Sequence, residues 1–555
     1  MQQHTNAMRH LSCIIAALLL AANAITAQDT LWVKSNDRYT KPSFIVLQGT
    51  DSTVFRNASI RTYTEGSINN FNYSALIPAM KQSADSISSA AFTFEWPGRI
   101  IWKPTTSDNN YNNDYYNPNS QWSFKNSKES EHFIVFWDKA FGDDPNANSV
   151  PSNLRVNIDD LLRKAETFYA TNVDILEMCS VGQGKSQLDT YKMIIHLLYD
   201  DGWTAVGSGY DDMIGALWVT PSTCHPVGST IAHEIGHSFQ YMVATDYRLN
   251  SVSNYLQRGW RYGYGANGSG GNAFWEQCAQ WQSFQDYPSE AFGYNVAVWL
   301  PNCHRHFCHE WMRYASYWLQ YHWTEKQGKA AYGRIWRESH YPEDPLETYC
   351  RLFCNDDWQV FWDDYFEYAT KLQNYQFEAI HQYLSTNYSA RSYKTQMYQC
   401  DDNFYQVAYA SCPETSGVNI IPLTGWKAGE QITVEFEGLN PGSTLHSSDP
   451  GHAFLNDGGS EYKVVSTYNN AGNAENRGWR YALVAISNDK TIVSEIGKAS
   501  EGNIIFTVPS PVTRVSLVVV GTPSKYNRHA WDEKDENDAQ WPYKVRFTRA
   551  KPSGI

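Results

Sequence analysis

Two histidines four residues apart, His233 and His237, flank a glutamate, Glu234, in the segment Ser229-Thr230-Ile231-Ala232-His233-Glu234-Ile235-Gly236-His237-Ser238-Phe239-Gln240-Tyr241-Met242. Ile231, Ile235, Phe239 and Met242 recur at helical spacing and Ser229 or Thr230 can cap the start, which predicts an α-helix with one buried face. On that helix the two imidazoles project from the same side and can both reach one zinc ion. Glu234 lies beside them without being a ligand, placed to take a proton from a water, and Gly236 leaves room near the metal. With 16 His in 555 residues, the pattern is expected by chance roughly 0.02 times in such a chain.

A catalytic zinc takes three protein ligands and keeps a fourth position for water. Six residues after His237, where one known arrangement places its third ligand, stands Val243. A glutamate on a later helix is the other solution, and Ala273-Phe274-Trp275-Glu276-Gln277-Cys278-Ala279-Gln280-Trp281 supplies Glu276, 39 residues after His237. A carboxylate among Phe274, Trp275, Cys278 and Trp281 is costly to bury without a partner, and a metal ion is such a partner. Glu290 and Asp246 are the weaker substitutes.

His233-Glu234-Ile235-Gly236-His237 with a downstream Trp275-Glu276-x-x-Ala279 resembles the gluzincin clan of zinc metallopeptidases. The span from Glu131 to about Phe353 and the late run His529-Ala530-Trp531-Asp532 to Gln540-Trp541-Pro542-Tyr543 are similar to a family of exported bacterial proteins grouped with the metallopeptidases. The resemblance implies an α+β multidomain chain whose zincin-like catalytic domain has a helical C-terminal subdomain. It implies one catalytic zinc held by His233, His237 and Glu276, with Glu234 as general base, and a peptide, protein or glycoprotein substrate. Many members of the clan carry an Asp four residues after the ligand Glu; here that position is Gln280. By the clan's logic the strand Ala216 to Thr220 is a sheet edge that pairs with an extended substrate, and an oxyanion donor is expected from His304, His306, His309 or Tyr314.

The rest of the chain fits an exported protein. Arg9 and His10, the apolar run Leu11 to Ala22 and the small residues through Ala27 read as a secretory signal cleaved before Gln28, which predicts a secreted, periplasmic or cell-surface location. No later stretch approaches 18 apolar residues, so no membrane span is expected. A net charge of -14 argues against nucleic acid as partner. Of the nine cysteines that follow the signal, Cys303/Cys308 and Cys350/Cys354 are close enough for local disulfides.

Residues 28–125 read as a β-containing extension ending in an Asn-rich linker, with Ala91 to Trp96 as one strand. Residues 126–405 alternate buried strands (His132 to Trp137, Tyr191 to Tyr199, Ala216 to Thr220) with helical patterns and form the catalytic domain. After about 405 the period changes to two, and residues 406–555 read as an all-β sandwich.

Two further constellations stand out. Cys303-His304-Arg305-His306-Phe307-Cys308-His309 is dense in metal-ligand types but lacks a second Cys/His pair at finger-like spacing. The run Asp532-Glu533-Lys534-Asp535-Glu536-Asn537-Asp538 offers hard oxygens to calcium, without the glycine of a calcium loop, and reads more simply as a solvated loop. The aromatic excess, 21 Trp and 37 Tyr, keeps a carbohydrate-active or glycan-binding protein as the first rival reading. A non-catalytic binding protein on the same scaffold is the second.

Overall fold

The structure is a computed structural model that describes residues 29–32, 43–47, 58–62, 99–102, 104, 115, 117–250, 260, 273–340, 342–384, 393–455, 462–532 and 534–553. The signal segment 1–27, residues 91–96 and most of the Asn-rich stretch lie outside the described residues. The chain divides into two compact units, Met1–Gly259 and Trp260–Ile555.

In the first unit, β1 (Asp29–Trp32), β2 (Ser43–Leu47) and β3 (Ala58–Thr62) make a small antiparallel sheet. A second sheet combines β4 (Ser127–Glu129), β5 (Phe133–Trp137), β6 (Met193–Leu197), β7 (Ala205–Tyr210) and β8 (Ile214–Val219) in the order β4-β5-β6-β8-β7. Strands β5, β6 and β8 run parallel, and antiparallel β4 and β7 form the two edges. Every residue of β5 and β6 is buried, which is why those segments read as unbroken apolar runs rather than alternating ones.

Two helices pack on this sheet. Helix α1 (Ile158–Ala170) lies against β5, and α2 (Ser229–Asn250) runs along β7 and β8. Asn157 caps α1 by accepting the Asp160 N–H at 3.0 Å, and Ile158, Leu161, Leu162, Ala165, Phe168 and Tyr169 bury its apolar face. His196, in the middle of β6, is fully buried with Nε2 3.0 Å from the Tyr210 hydroxyl. Burial pushes its imidazole down to about 3, so it stays neutral as part of the packing.

The sheet edge differs from the sequence reading. Ala216 to Val219 belongs to β8, which lies between β6 and β7, and the edge beside α2 is β7. Its sequence, Ala205-Val206-Gly207-Ser208-Gly209-Tyr210, carries a poor strand signal because glycine is depleted in strands. The glycines are there for contact. A Cβ on Gly207 would stand 2.1 Å from the Glu234 carbonyl oxygen and 2.7 Å from the His237 Cβ, and one on Gly209 would stand 2.3 Å from the Tyr241 ring.

The second unit begins with helices α3 (Ala273–Asp286), α4 (Asn295–Asn302), α5 (Trp318–Gln327), α6 (Ala330–Glu338), α7 (Pro345–Phe353) and α8 (Trp358–Lys371). Two five-stranded antiparallel sheets follow, built from β9 (Met397–Gln399), β10 (Tyr405–Val407), β11 (Val418–Thr424), β12 (Gln431–Gly438), β15 (Trp479–Ser487), β16 (Lys490–Val493), β17 (Glu501–Thr507), β18 (Arg514–Gly521), β19 (Tyr543–Thr548) and β20 (Lys551–Pro552), with a hairpin of β13 (His452–Leu455) and β14 (Tyr462–Val465) between β12 and β15. The sheet orders are β17-β12-β19-β10-β9 and β16-β15-β18-β11-β20. They face each other across one core that includes Val434, Phe436, Trp479, Tyr481, Leu517, Trp541 and Tyr543. Helix α8 joins this layer: Trp362 Nε1 donates to the Pro523 carbonyl at 2.9 Å, and Arg480 Nε donates to Asp363 at 2.7 Å.

All nine described cysteines are free, so the local disulfides expected at 303/308 and 350/354 are not formed. Among the described residues no helix is long and apolar enough to cross a membrane.

Candidate metal centre

Helix α2 carries the histidine pair as the spacing requires. Ile231, Ile235, Phe239 and Met242 are all fully buried, and that apolar face fixes the rotation of the helix, which leaves His233 and His237 together on another side. Their rings lie 4.6 Å apart between centroids and nearly perpendicular, so both can face one small ion. Both are more than nine-tenths buried, as is Glu234 between them. A buried imidazole pair with a carboxylate alongside concentrates ligand and base in a low-dielectric setting, where polar interactions are strong.

His237 has a defined orientation. Its Nδ1 lies 3.0 Å from Gln240 Oε1, one turn further along α2. An amide oxygen only accepts, so Nδ1 carries the proton and Nε2 keeps its lone pair for a metal. Gln240 went unnoticed in the sequence reading, although its spacing of three from His237 puts the two on one face.

The remaining predicted residues have defined places. Glu276 sits in the first turn of α3, partly buried, with Phe274, Cys278, Ala279 and Trp281 fully buried around it. Among the described residues, three sets of His and carboxylate side chains able to hold a metal ion lie within the second unit. Gln280 is partly buried on the same helix.

Asp246 is on α2, nine residues past His237 and so on the opposite side of the helix, where its Oδ1 accepts the Gln187 N–H at 3.0 Å. Burial pushes its carboxyl up to about 7, with hydrogen bonds from Ser186 and Gln187 acting against that rise. Glu290 is exposed in the turn Pro288–Phe292. Tyr314 is 42 % exposed under the Arg313 guanidinium. His304 is buried, its imidazole pushed down to about 3 by burial and by the neighbouring Arg305 and His309. His306 and His309 belong to a separate buried cluster in the second unit.

Residues 97–554 match the profile of a family described as "Family of unknown function (DUF6055)". No curated protein and no solved structure matches the chain.

Proposed function

We propose that this chain, which belongs to the DUF6055 family of unknown function, is an exported zinc-dependent hydrolase of the gluzincin type that cleaves peptide bonds. The observation that carries the reading is the intact His233, Glu234 and His237 set on a buried helix beside an antiparallel edge strand. In this assignment His233, His237 and Glu276 hold the ion, and Gln240 fixes the tautomer of His237.

Bound zinc supplies a Lewis acid that polarises a carbonyl and brings the pKa of a water to about 7. Glu234 then acts as general base: its carboxylate takes the proton from the attacking water and passes it to the departing amine. The free edge of β7 suits an extended chain, because an edge strand presents unpaired N–H and C=O groups to which a peptide adds as a further strand. Trp203 and Tyr199, 67 % and 37 % exposed in the connection that leads into β7, offer apolar surface at the foot of that edge.

Glu234→Gln tests the reading, since it removes the base and leaves the ligands in place. Wild-type protein is expected to carry zinc and cleave casein, and the variant to keep the zinc while turnover falls by about 10²-fold or more. Equal turnover in the variant, or zinc-loaded wild-type protein inert toward a broad peptide library, would overturn the assignment. Hydrolysis of purified glycans without hydrolysis of casein would move it to the carbohydrate-active reading.

A further inference from the structure

The connection from β18 to β19, residues 522–542, is held in the second unit by polar clamps rather than by regular structure. Outside the turn Asp535–Asn537 its described residues form no helix or strand. Arg305 grips Asp535 through two bonds of 2.9 and 3.2 Å, and Arg528 grips Glu347 through bonds of 2.5 and 2.9 Å. Tyr526 donates its hydroxyl to Asp344, the cap of α7, and its ring stacks on Trp358 with 4.4 Å between centroids. His306 accepts the Cys308 N–H on Nδ1 at 3.0 Å, so its proton sits on Nε2, 3.2 Å from the Asn527 carbonyl. The connection thereby forms one wall of a cavity of about 290 Å³, to which it contributes Tyr526, Asn527, Arg528 and Asp538, while His306 and Glu414 stand on the other wall.

One member of the connection, His529, is buried between two carboxylates. Its Nε2 lies 2.5 Å from Glu310 and its Nδ1 lies 2.8 Å from Asp538. A ring so placed carries a proton on each nitrogen and makes a charge-assisted bond on either side, with no lone pair left for a metal. Glu310 holds the connection a second time by accepting the Asp532 N–H at 3.1 Å. The imidazolium therefore joins the turn that carries Glu310 to both ends of the 529–538 segment.

Three more titratable groups face this ring. The His309 and His306 imidazoles lie 4.6 and 5.6 Å from it between centroids, and Arg305 holds His309 Nε2 at 2.8 Å. Glu414 is buried beside them, 3.8 Å from Arg305. Burial alone would lower the His529 pKa, but the bonds to Asp538 and Glu310 and the charges of Asp538 and Glu414 raise it to about 10. The stability this gives is complete below about 6.5 and is lost as pH rises through about 10. Burial and the charge of Asp538 also raise the Glu414 carboxyl, so its ionisation adds negative charge to the cluster in the same direction. Once neutral, the His529 ring can donate to only one of its two carboxylates, and the other is left buried against a lone pair, which is costly.

We propose that residues 522–542 form a strap over this cavity, latched by the His529 imidazolium shared between Glu310 and Asp538 and released in alkaline solution when the ring loses its charge. Release opens the strap wall of the cavity while the two β-sheets keep their own core.

Limited proteolysis of the full-length protein by proteinase K tests this, with cuts mapped by mass spectrometry and rates divided by those of the unfolded chain at the same pH. The wild-type strap is expected to resist cleavage at pH 7.5 although Lys525 and Lys534 are exposed on it, and to be cut about tenfold faster or more at pH 10.5, since the rate follows the population of the open form. His529→Gln is expected to be cut at the fast rate already at pH 7.5, with unchanged far-ultraviolet circular dichroism and little further rise with pH. Glu310→Gln removes one carboxylate from the ring and is expected to bring the midpoint of release down by about one pH unit or more. A His529→Gln strap as resistant as wild type at pH 7.5 would overturn the proposal. So would a midpoint that Glu310→Gln leaves in place, or wild-type protein that loses its far-ultraviolet signal before the strap becomes cleavable.

Discussion

His237 presents Nδ1 to the Oε1 of Gln240 at 3.0 Å, both side chains almost fully buried on successive turns of α2. The contact fixes which ring nitrogen is available and holds the imidazole plane. Gln240→Ala is therefore expected to weaken zinc binding about 10- to 100-fold while the helix persists, as read by competition with a chromophoric chelator. Zinc affinity unchanged in the variant would show that packing alone orients His237.

Gly207 sets how closely the edge strand approaches this helix. A methyl group there would meet the Glu234 carbonyl oxygen at 2.1 Å and the His237 Cβ at 2.7 Å, and neither neighbour is the free end of a flexible chain. Gly207→Ala is expected to cost about 1–3 kcal/mol by overpacking and to weaken zinc binding in parallel, because the helix must move to make room. Denaturant unfolding and zinc affinity measured on one preparation check this; a stability loss without a change in affinity would mean that the strand gives way instead.

These two residues show why some of the molecule was legible in the sequence and some was not. The histidine helix could be read because its information is local: His233 and His237 share a face at any i, i+4 spacing, and Ile231, Ile235, Phe239 and Met242 declare the other face. The strands β5, β6 and β8 could be read from buried apolar runs. The edge β7 could not, since Gly207 and Gly209 are selected by the approach of α2, a tertiary demand that lowers local strand propensity. The meeting of Glu310 with His529 at 2.5 Å was beyond reach for the same reason, as nothing in either segment points to the other.

Asp246 gives a pH prediction of definite sign. Its folded pKa is raised from 3.8 to about 7, chiefly by burial, so the fold favours the protonated acid. The stability this contributes is complete below about 4 and is lost as pH rises through about 7. Asp246→Asn keeps an oxygen for the Gln187 N–H and removes the ionisation. The variant is expected to gain thermal stability over wild type as pH is raised from 5 to 8, with little difference at pH 4. A stability difference independent of pH would show that the carboxyl ionises at its ordinary value.

Trp541 closes one end of the β-sheet core and can be tested apart from any metal. Its indole Nε1 donates to Thr415 Oγ1 at 2.9 Å, its carbonyl accepts from Trp479 Nε1 at 2.9 Å, and its backbone N–H donates to the Pro413 carbonyl at 2.8 Å. The side chain is fully buried, and a Cβ on Gly521 would lie 2.7 Å from its ring. Trp541→Phe keeps the backbone bonds, strands the Thr415 hydroxyl and leaves a void the size of the missing ring. A loss of about 2–4 kcal/mol is expected from the unsatisfied bond and the cavity together, read as a lower midpoint of chemical denaturation. A midpoint unchanged in the variant would show that neither the indole hydrogen bond nor its packing limits the stability of the sheet core.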